Sequence, residues 1–106
     1  MDIEFINKVE VLETGELLLG LESQGKPTYQ FVYREAAGVY WDESRNGFKS
    51  TEMKEWTCYE WFKHIVKIVR SGLGIELRLG ANVDWVKIPE NNRKEIEQEY
   101  ANIQIN

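Results

Sequence analysis

The sequence predicts an α+β domain: a mostly antiparallel meander sheet of about five to seven strands, with a main amphipathic helix packed on one face and a C-terminal helix. Three observations predict it. Apolar residues alternate along the first half of the chain, which is typical of half-buried strands. A capped segment with helical periodicity follows at 57–71. Two more alternating segments precede a charged C-terminus. The 106 residues fit a single domain over 1–106.

The first two predicted strands form a hairpin around residues 13–15. A three-residue loop ending at Gly15 pairs Val11 with Leu17 and keeps the apolar residues of both strands on one face. A two-residue turn would put the two apolar sets on opposite faces. We therefore expect the three-residue loop, with Gly15 in the left-handed region of backbone conformation.

An aromatic hairpin is expected next. Tyr29, Phe31 and Tyr33 alternate, and a three-residue loop at 36–38 would pair Tyr33 with Trp41. The resulting aromatic block has two interpretations. It is either core, packed under the predicted helix, or an exposed stacking surface for a ligand or a partner. Strand order decides between them, and the sequence leaves it open.

Helix 57–71 has the clearest end signals in the chain. Thr57 and Glu60 form a capping box, and Gly72 is expected to end the helix. One arc of this helix is apolar and should cover the sheet. Its residues are Cys58, Trp61, Phe62, Ile65, Ile68 and Val69.

The rest of the chain predicts short elements. Asn46-Gly47 indicates a turn, a candidate type I′ hairpin, before a strand at Phe48. Strands are expected at 75–79 and 83–88, separated by a turn at 80–82, and a charged helix at 90–102. The apolar stripe of this last helix is thin, so it needs a neighbour, which a homodimer would also supply. The stripe consists of Ile96, Tyr100 and Ile103.

Charge and composition exclude several classes of function. The net charge is −5, and residues 1–22 alone carry six acids against one lysine. An acidic protein is repelled by phosphate backbones, so we expect no nucleic-acid partner. No apolar run reaches the roughly 18 residues of a membrane span, and the N-terminus lacks signal-peptide features, so we expect a cytoplasmic protein.

Little chemistry is available to the chain, which has one histidine, His64, and one cysteine, Cys58. Metal-ligand spacings and a phosphate-binding glycine loop are missing from the sequence, so we predict no metal, no cofactor and no catalytic residue. Cys58 is expected to be an inert core thiol, because it lies at the centre of the apolar arc.

The leading hypothesis is a non-enzymatic protein-interaction module that binds a basic partner. Small size, acidity and missing motifs are typical of stand-alone bacterial accessory proteins, among them neutralisers of toxins (immunity-like proteins) and orphan products of mobile elements. Acidic residues of the first hairpin would steer the partner, and exposed aromatic residues would anchor it. The candidates are Glu10, Glu13, Glu16, Tyr33, Trp41, Trp56 and Trp85.

Two alternatives stay open. The first is a small-ligand binder with a pocket between the aromatic sheet face and helix 57–71. The second is a small enzyme that uses Glu35, Asp42 or His64, with Glu60 one helical turn away to orient the histidine.

Overall fold

The computed structural model describes residues 2–33 and 37–101, and it confirms the α+β prediction. Five strands form one sheet in the order β3-β4-β2-β1-β5. The strands are β1 (Asp2–Val11), β2 (Glu16–Leu21), β3 (Val39–Asp42), β4 (Gly47–Glu52) and β5 (Ile75–Val86). The helices are a 3₁₀ helix (Pro27–Val32), α1 (Cys58–Leu73), α2 (Glu90–Ile96) and a π-helical turn (Glu97–Ala101).

The sheet is mixed because one connection crosses it. β1 with β2, β2 with β4, and β3 with β4 pair antiparallel, whereas β5 runs parallel to β1. Helix α1 leaves β4 and delivers the chain to the far edge of the sheet, beside β1. A connection between parallel strands needs such a crossover, and a helix is the usual one.

The predicted first hairpin is confirmed in register and loop length. Val11 pairs with Leu17, and Gly15 has a φ of 87°. Gly15 N–H donates to the Leu12 carbonyl at 2.9 Å, which closes the loop. Because the register follows the buried face, the sequence pattern was sufficient to fix this element.

Helix α1 begins as predicted and ends later. The capping box at Thr57 and Glu60 is present, and Phe62, Ile65 and other apolar side chains of α1 are buried against the sheet. The prediction that Gly72 ends the helix was wrong. Gly74 ends it with a φ of 68°, and its N–H donates to the Arg70 carbonyl. The left-handed conformation, rather than the first glycine in the sequence, decides where this helix ends.

The predicted aromatic strand was wrong. Pro27 opens a 3₁₀ helix, in which residues three apart share a side. Tyr29 and Val32 are therefore buried, while Phe31 and Tyr33 are exposed. Proline has a fixed φ and no N–H to donate to a strand, which favours this helical turn over the pattern of alternation.

Trp41 consequently has a different partner from the one expected. It pairs with Phe48 in the β3–β4 hairpin, not with Tyr33. The loop is residues 43–46, with Asn46 at a φ of 53° and Gly47 already in β4, so the turn is not a two-residue type I′ turn. The Asn46 side chain ties the loop down: its Oδ1 accepts from Gly25 N–H at 2.8 Å.

The C-terminal elements also differ from the prediction. β5 is continuous, and the expected turn at 80–82 is a bulge, since the register on β1 shifts between Ile6 and Lys8. α2 ends at Ile96, which is fully buried, and Tyr100 in the π-helical turn packs on Phe62 with ring centroids 4.8 Å apart. Two residues of the predicted stripe thus pack inside this chain, and Ile103 lies outside the described residues. The homodimer stays a prediction.

Gly25 gives a sharp test of the packing around Trp41. A Cβ at Gly25 would overlap the Trp41 ring, so Gly25→Ala should lower the free energy of unfolding by about 1–3 kcal/mol. The matched control is Gly72→Ala, where the nearest atom to the new Cβ is Val32 Cγ2 at 4.0 Å. Removing a helical glycine there should stabilise by about 0.5–1 kcal/mol. Urea unfolding followed by tryptophan fluorescence measures both, and equal stability of the two variants would contradict this packing.

Candidate functional site

Three aromatic rings form a cluster at the start of α1. Trp56 immediately precedes the N-cap Thr57, and Trp61 and His64 lie one turn apart on the helix. The ring centroids of Trp56 and Trp61 are 4.9 Å apart, those of Trp56 and His64 5.1 Å, and those of Trp61 and His64 5.3 Å. Trp56 is 45% exposed, so this cluster has one face in solvent. An exposed tryptophan held by two packed neighbours is a preorganised contact surface.

The cluster forms one side of a surface groove of about 640 Å³, which we call the Trp56 groove. Its other side is the end of β4 and the segment that follows. The lining residues are Ala37, Thr51, Glu52, Lys54, Glu55, Trp56, Trp61 and His64. Two carboxylates and one ammonium group thus surround an aromatic floor, which gives the groove a negative balance of charge.

His64 has a fixed position in the groove wall. Its Nε2 lies 2.8 Å from the Ala37 carbonyl oxygen, and a carbonyl only accepts, so Nε2–H is the donor. The expected orientation of His64 by Glu60 is wrong, because Glu60 Oε1 accepts from Thr57 N–H at 2.9 Å in the capping box. His64 therefore braces the segment at Ala37 and has no carboxylate partner at Glu60.

The acidic hairpin lies at the same end of the sheet as the groove. Met53 N–H donates to the Gly15 carbonyl at 2.9 Å. The Glu52 side chain packs so close to Gly15 that a Cβ there would lie 3.1 Å from Glu52 Cγ. Glu13 is exposed at the tip of this hairpin. Tertiary structure thus places the hairpin loop against Glu52 of the groove lining, a residue far away in sequence.

Glu16 belongs to a charge network on the sheet face opposite α1. Lys49 Nζ lies 3.4 Å from Glu16 Oε1 and 3.1 Å from Asp42 Oδ2, and Tyr40 OH donates to Glu16. Burial and the bond to Glu16 raise the pKa of Tyr40 to about 12. Burial alone would raise the pKa of Glu16, but the donors Tyr40, Thr14 and Lys49 lower it below its usual range. Glu16 is therefore held in a structural network.

Asp42 is the most strongly held carboxylate in the network. Burial opposes its charge, but hydrogen bonds from Ser44, Lys49 and Arg45 outweigh burial and keep the pKa of Asp42 well below its usual range. A carboxylate held ionised in this way is a poor proton donor near neutral pH. Glu35, another acid of the enzyme alternative, lies outside the described residues.

The remaining predicted binding residues divide by environment. Trp41 meets Tyr29 and Phe48 edge-on, with centroids 5.2 and 4.9 Å away, and packs against the core. Trp85 is half-buried, and the Arg93 guanidinium lies over its ring at 5.2 Å. Tyr33 is half exposed, as a binding residue requires, but it follows the 3₁₀ helix and is not part of the expected strand.

Glu10 and Cys58 are both at least partly buried. Glu10 is half-buried, with its Oε1 4.0 Å from Lys8 Nζ. Cys58 is buried, and burial raises the pKa of its thiol, as an inert core cysteine requires.

The space between the sheet and α1 that the small-ligand alternative assigns to a pocket is occupied by Tyr29, Phe48 and Phe62.

Within 2–33 and 37–101, no three His, Cys, Asp or Glu side chains are grouped so as to hold a metal ion. In the same part of the chain, no helix is long and apolar enough to cross a membrane.

The sequence predicted Trp56 as an exposed anchor but His64 only as a catalytic candidate. Trp61 lies on the apolar arc of α1 and packs against the core as that arc predicts, but it is only partly buried and also contacts Trp56. The three-residue spacing of Trp61 and His64 was a usable signal, because residues three apart on a helix lie side by side. No sequence signal predicted that Glu52 and Glu55 line the groove, because their position depends on where β4 ends.

The fold and the groove define a small α+β domain with an aromatic, acid-flanked surface site. The family model "Integron Cassette Protein Hfx_Cass5" matches residues 22–83, more than half of the chain, and the chain belongs to that family. The match includes the residues of the Trp56 groove.

One solved structure is similar over nearly the whole length: "Structure from the mobile metagenome of North West Arm Sewage Outfall: Integron Cassette Protein Hfx_Cass5". It is 32% identical in sequence, the alignment covers 95% of this chain and 98% of that chain, and the TM-score is 0.41. None of the curated proteins matches the chain. The family name specifies a genetic origin and no activity.

The charge network predicts a defined pH dependence of stability. Asp42→Asn should lower the free energy of unfolding at pH 7 by about 1–2 kcal/mol, because Lys49 and Arg45 lose their shared acceptor. The folded pKa of Asp42 is depressed, so its contribution is complete above the ordinary value of 3.8 and is lost as the pH falls below that value. The difference between wild type and variant should therefore shrink in acid. Urea unfolding at pH 7 and at about pH 3 measures it.

The control is Asp84→Asn, an exposed acid on β5, which should cost little at either pH. A cost of Asp42→Asn that stays constant across this pH range would show that the network does not stabilise the ionised carboxylate.

Proposed function

We propose that this protein is a non-enzymatic interaction module that binds a basic surface of a partner protein through the Trp56 groove and the adjacent hairpin tip. The observation that carries this proposal is the juxtaposition of exposed Trp56 with Glu52 and Glu55, where Glu52 also packs against Gly15 of the acidic hairpin. An aromatic anchor with a polar rim is the usual construction of an interface hot spot.

Long-range charge supports the same assignment. The net charge of −5 equals the surplus in residues 1–22, the segment that forms the hairpin. Acidic charge concentrated on one element steers a basic partner toward that element and speeds association. Of the three acids originally predicted for steering, Glu13 is the one left exposed, so it is our first choice for this role.

The aromatic candidates are ranked by their surroundings. Trp56 comes first because its ring is exposed and held by Trp61 and His64. Trp85 comes after it, since Arg93 already covers its ring. Trp41 comes last because it is partly buried and packs against the core.

The origin of the family agrees with this kind of role. A related protein comes from a mobile metagenome, and orphan products of mobile elements are one group of accessory proteins that the composition suggested.

Partner capture at two salt concentrations tests the proposal. The tagged protein should retain one stoichiometric partner from its host lysate at low salt and lose most of it at high salt, because surface charge is screened. In a purified complex, Trp56→Ala should raise the dissociation constant at least about tenfold. Glu13→Lys should mainly reduce the association rate constant and its dependence on salt concentration.

The matched control is Phe31→Ala, which removes another exposed aromatic side chain, 61% accessible, and should leave affinity unchanged. A partner that binds Trp56→Ala as tightly as wild type would contradict the proposal.

A further inference from the structure

We infer that the Trp56 groove recognises a single arginine side chain of the partner, with the guanidinium stacked on the Trp56 indole and hydrogen-bonded to Glu52 or Glu55. This inference rests on the proposed function and names the chemistry that the groove selects. It commits to a peptide segment that carries arginine as the occupant.

Charge complementarity is the first argument. Glu52 and Glu55 both line the groove, and Gly15 of the acidic hairpin contacts Met53 and Glu52 at its edge. A cation that enters here gains from the carboxylates and from the electron-rich face of an indole. An anionic side chain would meet repulsion from the same carboxylates.

The protein already contains one arginine that is stacked on a tryptophan and paired with a glutamate. Near α2, the Arg93 guanidinium lies 5.2 Å from the centre of the Trp85 ring. Arg93 Nε is 3.5 Å from Glu97 Oε1, so an indole, a guanidinium and a glutamate carboxylate form one unit. The Trp56 groove presents two of these three groups, the indole and the carboxylates.

Arginine fits this combination better than lysine for geometric reasons. The guanidinium is planar, so it stacks on an indole while its edge donates paired hydrogen bonds to a carboxylate. An ammonium group is a strongly hydrated point charge that cannot do both with the same plane. The indole planes of Trp56 and Trp61 are inclined at 56°, which leaves the exposed Trp56 ring as the stacking surface and Trp61 as its support.

Lys54 is the groove residue that opposes this occupant. It is exposed and lines the same groove as the two carboxylates. Its ammonium group competes with an incoming guanidinium for the carboxylates, so removing this charge should tighten binding. Such a gain of affinity is unusual for a surface substitution. It would distinguish a site that selects a positive charge from an aromatic surface that binds apolar groups non-specifically.

The test uses short blocked peptides and the full-length protein. One peptide carries arginine between glycines, and matched peptides carry lysine or citrulline, which has the shape of arginine without its charge. The four indole N–H signals are assigned by single Trp→Phe variants and followed by two-dimensional NMR. The Trp56 signal should move saturably with the arginine peptide, with a dissociation constant of about 1 mM for so small a ligand. The Trp85 signal should stay in place.

Variants give the second arm. Glu52→Gln together with Glu55→Gln should weaken arginine-peptide binding at least about tenfold, whereas Lys54→Gln should tighten it about twofold to fivefold. Well-dispersed amide spectra show that each variant is folded. Equal binding of the citrulline peptide, or of the lysine peptide, would overturn the inference, as would a Trp56 signal that no peptide moves.

The outcomes separate this inference from the proposed function. If the arginine peptide fails but partner capture still depends on Trp56, the interaction module stands and the arginine site falls. If Trp56→Ala leaves partner capture unchanged, the proposed function falls, and the arginine site falls with it as a partner-binding site.

Discussion

The packing of α1 across the sheet is the interaction on which the rest of the structure depends. Phe62 and Ile65 are fully buried between the helix and the strands, and burying such side chains stabilises by about 1.5–3 kcal/mol each. The same helix carries the chain from β4 to the far edge, so it makes β5 parallel to β1. Its start is fixed by a capping box, and that fixed start holds Trp56 and His64 in place. One helix therefore supplies both the main core contact and the wall of the candidate site.

Charge is divided between two kinds of location. On the sheet face opposite α1, acids and bases neutralise each other: Lys49 bridges Glu16 and Asp42, and Tyr40 completes the network. At the end of the sheet, carboxylates line the Trp56 groove with less compensation. The paired charges serve stability, and the less compensated ones lie where we propose that a partner binds. A net charge calculated from composition cannot make this distinction, because it depends on which side chains meet.

The tryptophans also differ in whether neighbouring side chains cover their rings. Trp85 already holds a guanidinium from its own chain, and Trp41 packs against Tyr29 and Phe48, whereas Trp56 turns a face to solvent. The family name refers to integron cassettes and assigns no ligand. The exposed face of Trp56 is thus the most direct structural guide to function. Together with the carboxylates beside it, this face is the reason why we propose a basic partner.

The sequence by itself determined the elements whose signals are local. The first hairpin followed from alternation and a glycine at residue 15, and the start of α1 followed from Thr57 and Glu60, because register and capping are set by near neighbours. Tertiary structure decided the rest. It buried Tyr29 and Val32 of the 3₁₀ helix Pro27–Val32, whereas the helical turn itself is favoured by the local signal of Pro27. It also joined the acidic hairpin tip to the groove, a contact between distant segments that no local pattern encodes.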